Sequence, residues 1–506
     1  MKGAYESARD REAPLTLDCD VVVVGSGASG SVVATELALA GWDVVVLEEG
    51  PRVDAKLHGS MRPSESLRHV WRDGGLTVAV GVGDSPTINV TMGRVVGGSS
   101  VVTGGVCFRT PDRVLAGWAR EHGLPEYAPE KLDPYFTHVE KTVNVETVPR
   151  EDWSRSTELF GEGATKKGYR LHSMQRNTDG CVGFGRCNFG CPVQAKLSVD
   201  LSYLPRGVQA GARVWSHCKV ETIRTKGGRA VGVEGRLLNR RGDRLLVHAR
   251  HVVIACSAWH TPGLLRRSGI AKRNAVLGKK MTLHPGFRMM ARFPHDEIVD
   301  GWKGAMQGAF STDHEDEGIT LTALYVPVSV IGATIPGAGP AHVRGARRMR
   351  NMAVFGGMLH DEGGGTVRRG PMGEPLVTYR MADKDRASMP KIVRLLGETF
   401  FEAGAEMVFP PVLGLDRGLD VDAFRAFPFE SLPGRRYEVS SQHPLGTARM
   451  GGDKRGSVVD ADGRVWECEG LYVVDGSVLP TSLGVNPQLT IMTVATRLAW
   501  QLRDRS

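Results

Sequence analysis

A chain of 506 residues is too long for one simple hydrophobic core, so two or three domains are expected. Its 41% hydrophobic and 24% charged residues are ordinary for a globular protein, and 64 glycines point to many tight turns and close backbone–ligand approaches. The net charge of +8 is spread along the chain, which argues against a nucleic-acid partner, and no run of about 18 uninterrupted apolar residues is present to span a membrane.

The first twenty residues are polar and charged and carry no apolar signal core, so a cytoplasmic protein is expected. Residues 1–17 read as a disordered leader. Residues 21–24 are four valines, a fully apolar β-branched run of the kind that forms a buried parallel strand. Residues 28–41 read as a helix, with Val33, Leu37 and Ala40 on one face and Gly41 at its stop. A second apolar strand at 44–47 ends in Glu48, Glu49 and Gly50, which completes a βαβ unit.

The stretch from about 52 to 110 is irregular and glycine-rich. Residues 129–170 read as mostly helical, and 214–254 as strands with a turn at Gly227-Gly228. From about 285 to 380 the pattern changes to strands at 287–293, 319–326, 352–358 and 376–381, followed by a helix at 383–404. That is the pattern of an antiparallel sheet packed on helices, in a second domain. The Gly/Pro-rich segment 331–345 reads as a loop, and the basic cluster Arg344, Arg347, Arg348 and Arg350 as a solvated one. After 440 the chain returns to strand, loop and helix.

Gly25-x-Gly27-x-x-Gly30 follows a predicted strand and opens a predicted helix. Gly25 permits the tight turn, Gly27 lets the backbone approach a pyrophosphate, and Gly30 allows close helix–strand packing. The helix start, with Ala28 and Ser29, presents unpaired N–H groups to phosphates. Glu48, at the end of the next strand, is placed to accept hydrogen bonds from an adenosine ribose. This motif by itself fits FAD and NAD equally. A second glycine-rich stretch holds Gly97, Gly98, Ser99 and Ser100 and continues through Thr103, Gly104 and Gly105, small residues that let backbone N–H groups touch a large flat ligand. Near the end, Asn486-Pro487 precedes an apolar helix that starts at Gln488, and the positive end of that helix suits the pyrimidine edge of a reduced flavin.

These segments together resemble the glucose–methanol–choline (GMC) family of flavin oxidoreductases. The residues that carry the resemblance are Gly25 to Gly30 with Glu48, Gly97-Gly98-Ser99-Ser100, and the run from Ala258 to Leu265. The last block is His443-Pro444-Leu445-Gly446-Thr447, with Val473-Val474-Asp475-Gly476-Ser477 and Gly484-Val485-Asn486-Pro487-Gln488. The resemblance implies an α/β fold: a Rossmann-type FAD-binding domain assembled from several chain segments, and an α+β substrate domain with an antiparallel sheet. We expect the first over 18–284 and 441–506, with 171–200 as an excursion, and the second over 285–440. It further implies a catalytic pair at His443 and Asn486, flavin contacts near Asp475 and Gly476, and adenine contact at Val220. Val102 stands where some members carry the histidine that tethers FAD, so non-covalent FAD is expected. Thr103 and Cys256-Ser257 also depart from the family pattern.

Cys181, Cys187 and Cys191 lie within eleven residues, with glycines between them. Their spacing resembles a segment of iron–sulfur sugar dehydrogenases and one of long-chain alcohol oxidase-like members. Reduced structural thiols are the preferred reading and ligands of an iron–sulfur cluster the alternative. The mechanism expected is removal of a hydroxyl proton by His443 with hydride transfer to flavin N5, Asn486 orienting the oxygen. The substrate expected is a bulky or hydrophobic alcohol, with a sugar or glycoside as the alternative and a flavin-containing lyase as the alternative of another class. Oxygen, a quinone or a redox protein would accept the electrons. Met289, Met290, Met352 and Met358 fit either core packing or an adaptable apolar pocket.

Overall fold

The computed structural model describes residues 3–324 and 327–505. The valine strand extends further back than its apolar run, as Leu15–Val24, and pairs in parallel with Val44–Leu47 on one side and Arg244–Ile254 on the other. Val21, Val22 and Val23 are fully buried, as a strand covered on both faces requires. The eight-stranded sheet runs Ala4–Ser7, Arg213–Ser216, Val44–Leu47, Leu15–Val24, Arg244–Ile254, Arg229–Leu237, Cys218–Lys226, and Leu471–Val473 also pairs in parallel with Arg244–Ile254. Its centre is the parallel Rossmann core, and its far side is an antiparallel meander turned at Gly227 and Gly228.

The leader expected at 1–17 is corrected by this topology. Ala4–Ser7 forms the edge strand, with Tyr5 opposite Val214, and the Arg52 guanidinium sits 3.9 Å from the centre of the Tyr5 ring. Its polar, half-buried residues leave no apolar alternation for a sequence reading to find.

The second sheet has twelve strands. At its centre Gly286–Arg292 pairs with Met352–Leu359, which pairs with Ile319–Ala323. Residues 325 and 326 of the expected 319–326 strand lie outside the described residues. Pro375–Tyr379 and the helix Asp383–Glu402 follow where the sequence placed them. The glycine-rich stretch 52–110 contributes Val78–Gly81 and Ile88–Val90 to this same sheet, and 331–345 folds mostly into two short helices, Val328–Thr334 and Pro340–Ala346, rather than an open loop. Phe160, on the helix Arg155–Lys166, stacks on Phe355 with centroids 3.8 Å apart and fastens that helix to the sheet. Of the basic cluster, Arg350 pairs with Asp300 at 2.9 Å and Arg348 donates to the Phe293 carbonyl, so part of it holds the fold.

Candidate active site

The two sheets enclose a cavity of about 670 Å³. It is lined by Gly25, Gly27, Ala28, Ser29, Glu48, Glu49 and Val220, by Ser99, Ser100, Thr103 and Gly104, and by His443, Asp475, Gly476, Asn486, Pro487 and Gln488. Segments more than four hundred residues apart thus share one wall. Gly30, Gly97 and Gly105 stand behind it rather than on it.

Each glycine of the first motif has a steric reason. A Cβ on Gly25 (φ +103°) would lie 2.4 Å from the Ala255 carbonyl oxygen, and one on Gly30 would lie 2.0 Å from that of Gly25. A Cβ on Gly27 would meet only Gly98 Cα at 3.9 Å and would project into the space where a pyrophosphate approaches. Among the described residues no side chain caps the start of Ala28–Leu39, so its first N–H groups are left for an anion. This open cradle above an uncapped helix fits the pyrophosphate of a dinucleotide.

Glu48 is used differently from a free ribose ligand. Its Oε2 accepts from the Ser26 N–H at 3.1 Å and Oγ–H at 2.6 Å, and its Oε1 accepts from Gly50 N–H at 2.8 Å. Gly97 N–H in turn donates to Ser26 Oγ at 3.1 Å, so the carboxylate knits the two glycine stretches together. Oε1 keeps a lone pair for a ribose hydroxyl. Beside it, Glu49 accepts from Arg72 at 2.7 Å; although burial opposes it, the guanidinium holds the Glu49 carboxyl down to about 2. Val220 precedes a β-bulge at Glu221 on the cavity side of the meander. Thr261 donates to Asp475 Oδ2 at 2.6 Å and Thr103 to Gln488 Oε1 at 3.1 Å, contacts that join earlier parts of the chain to its end.

His443 Nε2 lies 3.2 Å from Asn486 Nδ2 on this wall. Burial pushes the His443 pKa down to about 4, so the ring is neutral near pH 7. Its other nitrogen, Nδ1, lies 3.3 Å from Nδ1 of His284, a residue the sequence reading did not select. His284 Nε2 accepts from Leu483 N–H at 3.0 Å and Gly484 N–H at 3.3 Å. The backbone of His284 is held in turn by Asp361, which also accepts from Tyr379 Oη–H at 2.6 Å. The signal available was a lone histidine at the expected domain boundary of 284/285. Met358 lines the cavity, as does Met306, whereas Met289 and Met352 are core residues.

Nothing in the geometry of the described residues supports the iron–sulfur alternative. Among the described residues no three histidine, cysteine or carboxylate side chains come together in a metal-holding group, and all eight cysteines are unbridged. Arg176, fully buried, donates to Cys187 Sγ at 3.0 Å and to the Gly104 carbonyl, so a guanidinium sits against the thiol.

A Rossmann sheet whose glycine turn opens into a cavity shared with a half-buried histidine–asparagine pair defines a dinucleotide-dependent oxidoreductase. The models of the N- and C-terminal regions of GMC oxidoreductases match residues 19–286 and 364–495. An uncharacterised GMC-type oxidoreductase of Mycobacterium tuberculosis is 39% identical over 97% of this chain and 76% of its own length. A long-chain-alcohol oxidase of Arabidopsis thaliana is 28% identical over 95% of this chain and 66% of its own. The solved structure of pyridoxine 4-oxidase from Mesorbium loti superposes with a TM-score of 0.73 at 17% identity, over 96% of this chain and 99% of that one, a likeness of fold. The chain belongs to the GMC oxidoreductase family, flavoproteins that act on CH–OH donors. Among the described residues no helix is long and apolar enough to cross a membrane.

Proposed function

We propose that this protein oxidises a bulky or hydrophobic alcohol to a carbonyl compound with non-covalently held FAD, and that His443 and Asn486 are the side chains that meet the reacting oxygen. The carrying observation is their 3.2 Å approach on the wall of the cavity that the dinucleotide-binding segments also line. The residues fit FAD: Gly27 and the uncapped helix start for the pyrophosphate, Glu48 for the ribose, and the N-terminus of Gln488–Asp504 for the flavin edge. When bound, FAD supplies the acceptor for the hydride from the carbinol carbon.

The chain's own part is to hold the hydroxyl and take its proton. A neutral imidazole is suited to that, and an amide in contact with it fixes the direction of the oxygen. Met306, Leu324, Val330 and Met358 give the cavity an apolar side, which suits an alkyl chain better than a sugar. The long-chain-alcohol oxidase relative supports the same substrate class and oxygen as the electron acceptor.

The test is anaerobic mixing of the purified protein with long-chain, steroid and aromatic alcohols and with glycosides, followed at the flavin absorbance band. Bleaching by the apolar alcohols is expected, with hydrogen peroxide formed on admission of air. Turnover without bleaching would mean a lyase, and bleaching by glycosides alone would reassign the substrate.

A further inference from the structure

The two nitrogens of a neutral histidine are not equivalent, because one carries the proton and the other accepts. His284 Nε2 faces two backbone donors, the N–H groups of Leu483 and Gly484 at 3.0 and 3.3 Å. Both hydrogens point at the same ring nitrogen, so that nitrogen is the acceptor. The proton of neutral His284 is therefore on Nδ1, where it faces His443 Nδ1 at 3.3 Å. A hydrogen bond there requires a lone pair on His443 Nδ1, which leaves the His443 proton on Nε2.

A proton on His443 Nε2 has a consequence at the other end of the ring. Asn486 Oδ1 is buried without a hydrogen-bond partner, while its Nδ2 lies 3.2 Å from His443 Nε2. With a proton on Nε2 that contact would set donor against donor. Turning the Asn486 amide over places Oδ1 opposite the Nε2 proton and moves Nδ2 to the position the orphaned oxygen now holds, an orientation this tautomer requires. The tautomer is thus set at the His284 end of the ring and fixes the amide orientation required at the Asn486 end.

We infer that His284 is a positioning residue that latches His443 in the Nε2–H tautomer, with the proton on the nitrogen nearest Asn486. This rests on the proposed role of His443 at the reacting oxygen. In the latched state Nε2 can donate to an oxygen but cannot take a proton from it. Acceptance at Nε2 requires the proton on Nδ1, which is incompatible with the His284 contact. The proton-accepting form is therefore reached only when that contact opens. Asp361 keeps the latch in place by accepting the Leu283 and His284 N–H groups, each at 2.9 Å.

Histidine-labelled holoenzyme read by long-range ¹H–¹⁵N correlation at pH 7.5 tests this, with His443→Gln and the His284 variants used to assign resonances. The result expected is His284 as its Nδ1–H tautomer, the form disfavoured in water, and His443 as Nε2–H with a hydrogen-bonded Nδ1. In His284→Phe, the His443 Nδ1 resonance should move to a free lone-pair position or gain Nδ1–H character, and His284→Asn, which keeps an N–H near the Nδ1 site, should restore the wild-type pattern. His284 found as Nε2–H, or a His443 signal unmoved in His284→Phe, would overturn the latch. If His284→Phe does not fold, the wild-type and His284→Asn spectra decide. Failure of the alcohol panel to bleach the flavin would sink the proposed activity and leave the tautomer result standing.

Discussion

Asp361 and His284 are joined through the backbone: Asp361 Oδ1 accepts the His284 N–H at 2.9 Å while Oδ2 accepts that of Leu283 at 2.9 Å and the Tyr379 hydroxyl at 2.6 Å. The carboxylate is buried and so aims the histidine that touches His443 without itself reaching the cavity wall. Replacing it by asparagine turns one acceptor into a donor that faces N–H or O–H. We predict that Asp361→Asn loses about 1–3 kcal/mol of stability, read by urea unfolding. The variant should also reduce flavin more slowly with the best alcohol; wild-type stability and rate would contradict the role.

His443→Ala removes the proposed proton acceptor but no element of the dinucleotide cradle. Flavin reduction at saturating alcohol should slow by about 10²–10⁴-fold while the purified variant stays yellow. Stopped-flow absorbance gives the rate and the flavin-to-protein ratio gives the loading. A rate equal to wild type would remove His443 from the chemistry.

Gly27 and Gly30 belong to one motif but should fail differently. A Cβ on Gly30 meets Gly25 O at 2.0 Å, so Gly30→Ala should cost about 1–3 kcal/mol in thermal or urea unfolding. A Cβ on Gly27 has no protein atom nearer than 3.9 Å and the backbone there is extended, at φ −68°, so Gly27→Ala should fold normally. It should instead weaken FAD binding by about tenfold, a difference of roughly 1.4 kcal/mol. Equal stability losses in the two variants would show that the cradle is not a ligand surface.

Burial lowers the pKa of both His443 and His360 from 6.5 to about 4. In the window between these values the unfolded chain binds the proton and the folded chain does not. Stability present above about 6.5 is therefore lost as the pH falls towards about 4. Urea midpoints measured from pH 7 to pH 5 should drop less steeply in His443→Gln than in wild type, since comparing the two cancels the buried carboxylates, which titrate with the opposite sign. Parallel profiles would mean that His443 is not held neutral by the fold.

The strands at 21–24 and 44–47, the glycine turn between them and the helix Asp383–Glu402 were legible because each is specified within its own stretch: apolar runs of β-branched residues, a periodicity of 3.6, and glycines where a Cβ would strike a carbonyl. The terminal block was legible for another reason, its likeness to a known family, which supplied the partnership of His443 and Asn486 that no local pattern contains. The strand Ala4–Ser7 was missed because an edge strand with mixed burial has no distinct periodicity and is fixed only by its partner at 213–216. The cysteine spacing left reduced thiols as the preferred reading and a cluster as the alternative, and spacing alone could not show that side-chain packing puts Arg176 against Cys187.

The sequence by itself thus marked the glycine turn as a dinucleotide cradle, since close approach of backbone to phosphate demands glycine at set positions whatever surrounds them, while the place of the terminal block beside it was an expectation from family likeness. Only the tertiary structure decided which groups surround His443. His284 lies 159 positions away in the chain, and its pairing depends on Leu483, Gly484 and Asp361 all arriving at one place. A proton's location on an imidazole follows from its neighbours in space, and those neighbours are set by the packing of the two sheets rather than by any spacing along the chain.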